Sequence, residues 1–226
     1  MTEITVRLPV PEPRPLVLDP AYTALVVVDV ENEFLRPAGR RYLGERAERI
    51  LAPLARLLER TRAAGAPVVY IHSVRDPDAA EFTVFQVDPH LLRGSWGAEY
   101  CEEIAPRPGE PIVDKHSHDC FNHTELEAVL ARLGIRPCEF TVIVTGVALD
   151  ICVSHAVLGF SVRDYWVAVP MDCVAARTAE AEIVGYQRFL HPAYAYNVAV
   201  TRSDLIEFRA GVGIPTAVPH ARASVR

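Results

Sequence analysis

The run ALVVVDV at 24–30 constrains the fold more than any other stretch. Its side chains are apolar and mostly β-branched at successive positions, with none of the alternation expected of a sheet that has one face in water. A strand of this kind is buried on both faces, which happens when helices cover a parallel sheet on either side. PVVYIH at 67–72 and EFTVIVTG at 139–146 repeat the pattern, and PIVD (111–114), DYWVAVP (164–170) and AYNVAV (195–200) are further strand candidates. Segments of helical spacing lie between them at 43–65, 122–134, 149–160 and 178–190. Gly65 and Gly134 stop the first two, Asn122 or Thr124 caps the second, and Pro53 kinks or splits the first. Residues 73–110 are irregular, and so long a connection in a compact domain is usually functional.

Strands alternating with helices predict an α/β domain. The expected architecture is a six-stranded parallel sheet, doubly wound and Rossmann-like, with strand order 3-2-1-4-5-6 in chain numbering. No linker divides the chain, so a single domain is expected over 21–226, preceded by an extended proline-rich arm at 1–20. Ligands in such folds bind beyond the carboxyl ends of the strands, near the reversal of strand order.

Several functions are excluded early. The net charge of −6 is the wrong sign for a nucleic-acid footprint. No apolar stretch approaches the ~20 residues of a membrane span, and the first residues lack a basic-then-apolar leader. A cytoplasmic location is therefore expected. The five cysteines include no CxxC pair, which argues against a zinc knuckle or a thioredoxin-type motif and for free thiols. No strand is followed by GxGxxG or GxxxxGK[ST], which speaks against a nucleotide-binding domain.

Polar residues collect at one set of strand ends. Asp29 ends the first strand, His72 the second, Asp114 and Lys115 follow the third, and Cys152 follows the fourth by one short turn. In the expected order the first and fourth strands are neighbours, so Asp29 and Cys152 face each other, and the long Lys115 side chain reaches inward. A free thiol has a pKa of ~8.5, and a helix N-terminus or a nearby ammonium favours its thiolate. A carboxylate at that position can take the thiol proton and return it to a leaving amine. Backbone N–H groups of the turn 147–152 point where an oxyanion would form. Taken singly, Asp29 could be a loop-bonding carboxylate, Lys115 a solvated lysine and Cys152 a core filler. Their shared sheet edge is what favours chemistry.

The stretches ALVVVDVENEF (24–34), VDKHSHDCF (113–121) and VTGVALDICVSHAVLGF (144–160) together resemble the isochorismatase-like cysteine hydrolase superfamily. The middle one departs from the family pattern, with Asp119-Cys120 where Ser-Ala is common, which brings a second thiol near the site. The resemblance implies hydrolysis of a small carboxamide or ureido compound through a thioester, with release of ammonia or an amine. It implies Cys152 as nucleophile, Asp29 as general acid and base, and Lys115 as activator of the thiolate. It also implies a cis peptide at Val147–Ala148, with the backbone of Ala148 and Cys152 as oxyanion donors, and a homodimer or homotetramer.

Phe34, Trp96 and Phe121 are expected to wall the substrate, and His118 to touch it. Arg75 and Gln187 are weaker candidates for polar contacts. Nicotinamidases of the superfamily hold a metal through Asp-x-His…His after the second strand. Here His72, Asp76 and Asp78 lack that spacing, and His116, His118 and His123 offer no fourth ligand, so no metal and no cofactor is expected. Relatives cleaving a vinyl ether lack the cysteine, so Cys152 favours amide or ureide hydrolysis; within that class the missing metal ligands and the look of 72–96 make the chain resemble the N-carbamoylsarcosine, ureidoacrylate and biuret types more than nicotinamidases. The alternatives are a metal-bearing nicotinamidase and a non-catalytic binding protein that retains the fold.

Overall fold

A computed structural model of the 226-residue chain describes residues 8, 10–190 and 196–216. Its strands are β1 (Leu16–Leu18), β2 (Thr23–Val28), β3 (Val68–Ser73), β4 (Ile112–Lys115), β5 (Thr141–Val147), β6 (Trp166–Pro170), β7 (Val174–Ala175), β8 (Val198–Thr201) and β9 (Ile206–Phe208). Its helices are α1 (Asn32–Leu35), α2 (Glu45–Glu48), α3 (Leu51–Ala63), α4 (Ala80–Thr83), α5 (Leu126–Arg132), α6 (Ser154–Ser161) and α7 (Ala179–Phe189). The main sheet is parallel in the order β4-β3-β2-β5-β6-β8, with β7 pairing the far end of β5. In chain numbering of the six long-path strands this is the expected 3-2-1-4-5-6.

β2 is buried at every position, as its unbroken apolar run requires. Ala24, Val26 and Val28 face a core shared with α5, α6 and α7, while Leu25 and Val27 face a second core shared with α3. Leu54, Leu57 and Leu58 of α3 are fully buried in the second core, each contributing ~1.5–3 kcal/mol. The helical pattern at 43–65 is split upstream of Pro53, between α2 and α3. Pro53 then lies in the first turn of α3, where its missing N–H leaves no intrahelical bond unmade. Thr124 serves the start of α5, its hydroxyl accepting from the Leu126 N–H at 3.3 Å. The expected helix at 149–160 differs in detail: Leu149–Val153 form a π-helical turn, and the α-helix begins at Ser154.

Of the expected arm, residues 1–7 and 9 lie outside the described residues. Farther along, the Arg14 N–H donates to the Val200 carbonyl at 3.1 Å, and β1 pairs in parallel with β9 as a separate two-stranded sheet. The first residue of the expected strand at 195–200 is also outside the described set.

At the order reversal two adjacent strand ends turn in left-handed conformations. Val28 and Gly146 are partners across β2 and β5. Gly146 has φ +105°, and a Cβ there would sit 1.8 Å from the Val28 carbonyl oxygen, so only glycine fits. The next residue of the first strand, Asp29, has φ +51°, a region that Asp tolerates better than most side chains. Both strands end here, and in folds of this kind the reversal of strand order opens a crevice beyond such ends.

The long connection is strapped to the segment that follows β2. The Asn32 N–H donates to the Glu99 carbonyl at 2.8 Å and the Cys101 N–H to that of Val30 at 3.1 Å. Gly97 lies against Glu33, where a Cβ would come within 2.4 Å of the carboxylate. Arg62 anchors the far end, binding both oxygens of Glu110 at 2.7 and 2.8 Å.

Candidate active site

Three strand ends deliver their polar side chains to one buried point. Lys115, at the end of β4, sits beside Ser73 in the sheet register, and its stem reaches across β3 toward the crevice. Its Nζ lies 2.9 Å from Asp29 Oδ2, donates to Ser73 Oγ at 2.7 Å and to the Ser117 carbonyl at 3.1 Å, and stands 3.6 Å from Cys152 Sγ. Lys115 and Asp29 are each only 1% exposed and Cys152 8%. The Lys115–Asp29 contact is an ion pair rather than an aligned hydrogen bond, and neither Asp29 oxygen has a hydrogen-bond partner among the described residues.

Charge and burial compete at the thiol. Burial pushes the Cys152 pKa up, the Asp29 carboxylate pushes it further, and the Lys115 ammonium only partly offsets them. The helix start and the lysine favour a lowered pKa, whereas in this geometry desolvation and the Asp29 charge outweigh the lysine. Burial alone would lower the Lys115 pKa, but Asp29 carries it above its ordinary value, so the ammonium is fixed. Cys152 thus stands beside a buried ion pair in surroundings that favour its neutral thiol. Cys120 is fully buried in the α6-side core and its pKa is pushed up to about 12 by desolvation, which leaves it an inert thiol.

The turn that carries Cys152 has two features. The Val147–Ala148 peptide is cis, and the π-helical turn follows at once, with the N–H groups of Ile151 and Val153 both donating to the Ala148 carbonyl at 3.0 and 3.1 Å. Single π turns recur at functional sites.

The remaining candidates divide. His118 joins the cluster, its Nδ1 being 3.6 Å from Cys152 Sγ; burial and the Lys115 charge lower its pKa, which favours the neutral ring. Phe34 packs against the α3-side core and Phe121 against the opposite one, where its ring meets Phe160 at 4.9 Å and carries the Arg163 guanidinium at 3.9 Å. Trp96 is 47% exposed on a short turn whose carbonyl accepts from Asn32. No ring contact joins these three aromatics among the described residues. Arg75 is a buried strut, paired with Glu81 and donating to the Lys115 carbonyl at 3.2 Å. Gln187 is half-buried on α7.

The segment after β3 does not fit a divalent metal. The two ring nitrogens of His72 are each engaged at 2.8 Å, by Asp114 and by the Ala98 carbonyl. Asp76 pairs with Arg93, and His116 Nδ1 lies 2.9 Å from the Val74 carbonyl oxygen. Among the described residues no three His, Cys, Asp or Glu side chains converge as ligands.

The sequence reading passed over Ser73, Tyr100 and Glu31. Glu31 carried one signal, a second acid two residues after Asp29, although the left-handed turn at Asp29 breaks the strand alternation between them. A separate cavity of about 240 Å³ lies at the other end of the sheet, lined by Thr23, Thr141 and Trp166, the first residues of their strands. It is remote from the strand ends where ligands of such folds bind.

Known proteins carry the same architecture. Residues 23–201 match the isochorismatase domain. The ureidoacrylate amidohydrolase RutB of Methylobacterium radiotolerans is 28% identical, the match covering 92% of this chain and 86% of that one. The crystal structure of N-carbamoylsarcosine amidase from Thermoplasma acidophilum is 33% identical with a TM-score of 0.68, covering 81% of this chain and 97% of that one. A cysteine hydrolase from Pseudomonas syringae pv. phaseolicola is 27% identical with a TM-score of 0.72, covering 90% of this chain and 95% of that one.

Proposed function

The chain belongs to the isochorismatase family and is a hydrolase of C–N bonds other than peptide bonds, and from that premise we propose that it cleaves a small ureido or carboxamide compound with Cys152 as nucleophile. The observation that carries this reading is the buried cluster in which Cys152 Sγ stands 3.6 Å from a lysine that is itself ion-paired with Asp29. The relatives named for ureidoacrylate and for N-carbamoylsarcosine put a ureide or carbamoyl compound ahead of other amides.

In this mechanism Cys152 Sγ attacks the substrate carbonyl carbon while the thiol proton passes to the Asp29 carboxylate. Coupling the two events avoids a free thiolate, which the buried site disfavours. The carbonyl oxygen becomes an oxyanion and accepts from the backbone N–H groups of Ala148 and Cys152. The C–N bond then breaks, and the leaving nitrogen takes the proton from Asp29 and departs as ammonia or an amine. A thioester remains on Cys152, or a thiocarbamate when the substrate is a ureide. Water adds to it with Asp29 as base, the S–C bond breaks, and the thiol regains its proton. Lys115 stays protonated throughout, offsetting negative charge as it moves from Asp29 to sulfur and oxygen. His118, beside Sγ at the more exposed side, contacts the bound substrate, and Phe34, Trp96 and Phe121 border its approach.

The test is ammonia release over a panel of small ureides, carboxamides and nicotinamide, with and without a chelator. The expected result is release strongest with a ureide or carbamoyl compound and unchanged by the chelator. Release confined to nicotinamide and abolished by the chelator would overturn the substrate class, and no release from any member would overturn the activity.

A further inference from the structure

Glu31 is a fully buried carboxyl beside the proposed catalytic cluster, and the mechanism above gives it no task. It is 0% exposed. Its Oε1 accepts the Ser73 N–H at 2.9 Å, and the same Ser73 receives the Lys115 ammonium on its Oγ at 2.7 Å. Glu31 is therefore one residue removed from the lysine that holds Asp29. Its second oxygen, Oε2, has no hydrogen-bond partner among the described residues, and neither has the Tyr100 hydroxyl, which is carried by the strap whose backbone bridges to Glu31.

The charges around this point can be counted. Lys115 from β4 is the cation, and Asp29 from the end of β2 is ion-paired with it. The Cys152 thiol is neutral, and burial and neighbouring acids hold the Tyr100 and Cys101 side chains protonated. His72 of β3 binds Asp114 of β4, which also binds Arg93, Arg75 is taken by Glu81, and Glu33 of α1 is 5% exposed against Gly97, its Oε1 without a partner among the described residues and its charge adding to the negative side of the count. One ammonium thus faces two carboxyls that are each no more than 1% exposed. If both were ionised, the site would bury an uncompensated negative charge, which is strongly unfavourable. Asp29 touches the ammonium directly, whereas Glu31 receives only a neutral amide N–H, so the proton belongs on Glu31. Desolvation and then the Asp29 charge push the Glu31 pKa well up, in the same direction. With Oε1 accepting the Ser73 N–H, Oε2 is the oxygen left to carry that proton.

We propose that Glu31 is held as a neutral carboxylic acid and acts as a positioning residue, fixing Ser73 and through it the Lys115 ammonium against Asp29 without adding charge to the site. Only the turnover arm of the test rests on the proposed amidohydrolase function; the other arms need no substrate.

The test compares wild type with Glu31→Gln and Glu31→Ala. Glutamine has the size of the neutral acid and keeps an acceptor for the Ser73 N–H. Infrared difference spectra of wild type minus Glu31→Gln at neutral pH are expected to contain a protonated-carboxyl band, and an ionised-carboxylate band in its place would overturn the proposal. The pH profile of Cys152 alkylation by iodoacetamide is expected to superimpose for wild type and Glu31→Gln. An inflection lower by more than about one pH unit in Glu31→Gln would mean that an anion had been removed, and would overturn it too. With a substrate in hand, Glu31→Gln is expected to keep kcat within about threefold of wild type and Glu31→Ala to lose at least about tenfold. Equal losses in the two variants would contradict the positioning role. Should Glu31→Ala fail to fold, the infrared and alkylation comparisons on Glu31→Gln still decide.

Discussion

Cys152→Ala is expected to reduce hydrolysis to background, a loss of at least ~10⁴-fold in kcat, while leaving the fold intact. The reason is that Cys152 carries the thiol of the cluster, while the Ser73 hydroxyl beside it is held by the Lys115 ammonium at 2.7 Å. Asp29 and Lys115 are locked to each other at 2.9 Å, and Cys120 is buried in the core. Removing one sulfur from a side chain that is 8% exposed at the crevice wall opens little space, so the thermal midpoint is expected to stay close to that of wild type. Initial rates and a thermal melt on the same preparation check both halves. Activity within a few-fold of wild type would rule out Cys152 as the nucleophile.

Lys115→Ala is expected to strike stability and activity together. It leaves the Asp29 carboxylate, 1% exposed, without its counter-charge, and breaking a buried pair from one side costs about 3–5 kcal/mol. The change also removes the group that favours the thiolate, so the alkylation of Cys152 should shift to higher pH. Adding Asp29→Asn to Lys115→Ala removes the orphaned charge, so the double variant is expected to recover much of the stability and none of the activity. Denaturant midpoints for the two single variants and the double variant check this. A Lys115→Ala variant destabilised by less than about 1 kcal/mol would mean that the ion pair is not closed off from water.

Much of the architecture could be read from the chain because its strands are buried on both faces. Runs such as ALVVVDV admit few alternatives, and the helical spacing between them closes the crossovers. The catalytic candidates were legible for a related reason. Parallel strands end on one edge, so Asp29, Lys115 and the start of the segment after β5 must meet there. Other features left no local mark. The π turn at Leu149–Val153 has the same apolar pattern as an α-helix start. Which core receives Phe34 and which Phe121 depends on short elements whose direction is set by tertiary packing. Arg75, a candidate for binding a carboxylate or carbonyl, is instead paired with Glu81, which lies in the irregular connection where sequence pattern assigns no partners. The upward shift at Cys152 was missed because sequence reveals neighbours but not desolvation. Glu31 was passed over for the same reason, since a carboxyl is presumed exposed until its burial is known.

The central claim is that turnover depends on one thiol, and stoichiometric alkylation tests it most directly. The protein would be treated with increasing iodoacetamide, the modified cysteines mapped by peptide mass, and the residual activity measured at each point. Cys138 is exposed and serves as an internal control. The expected result is that activity falls in proportion to modification of Cys152, is indifferent to Cys138, and is protected by substrate. Full activity after complete modification of Cys152 would contradict the account.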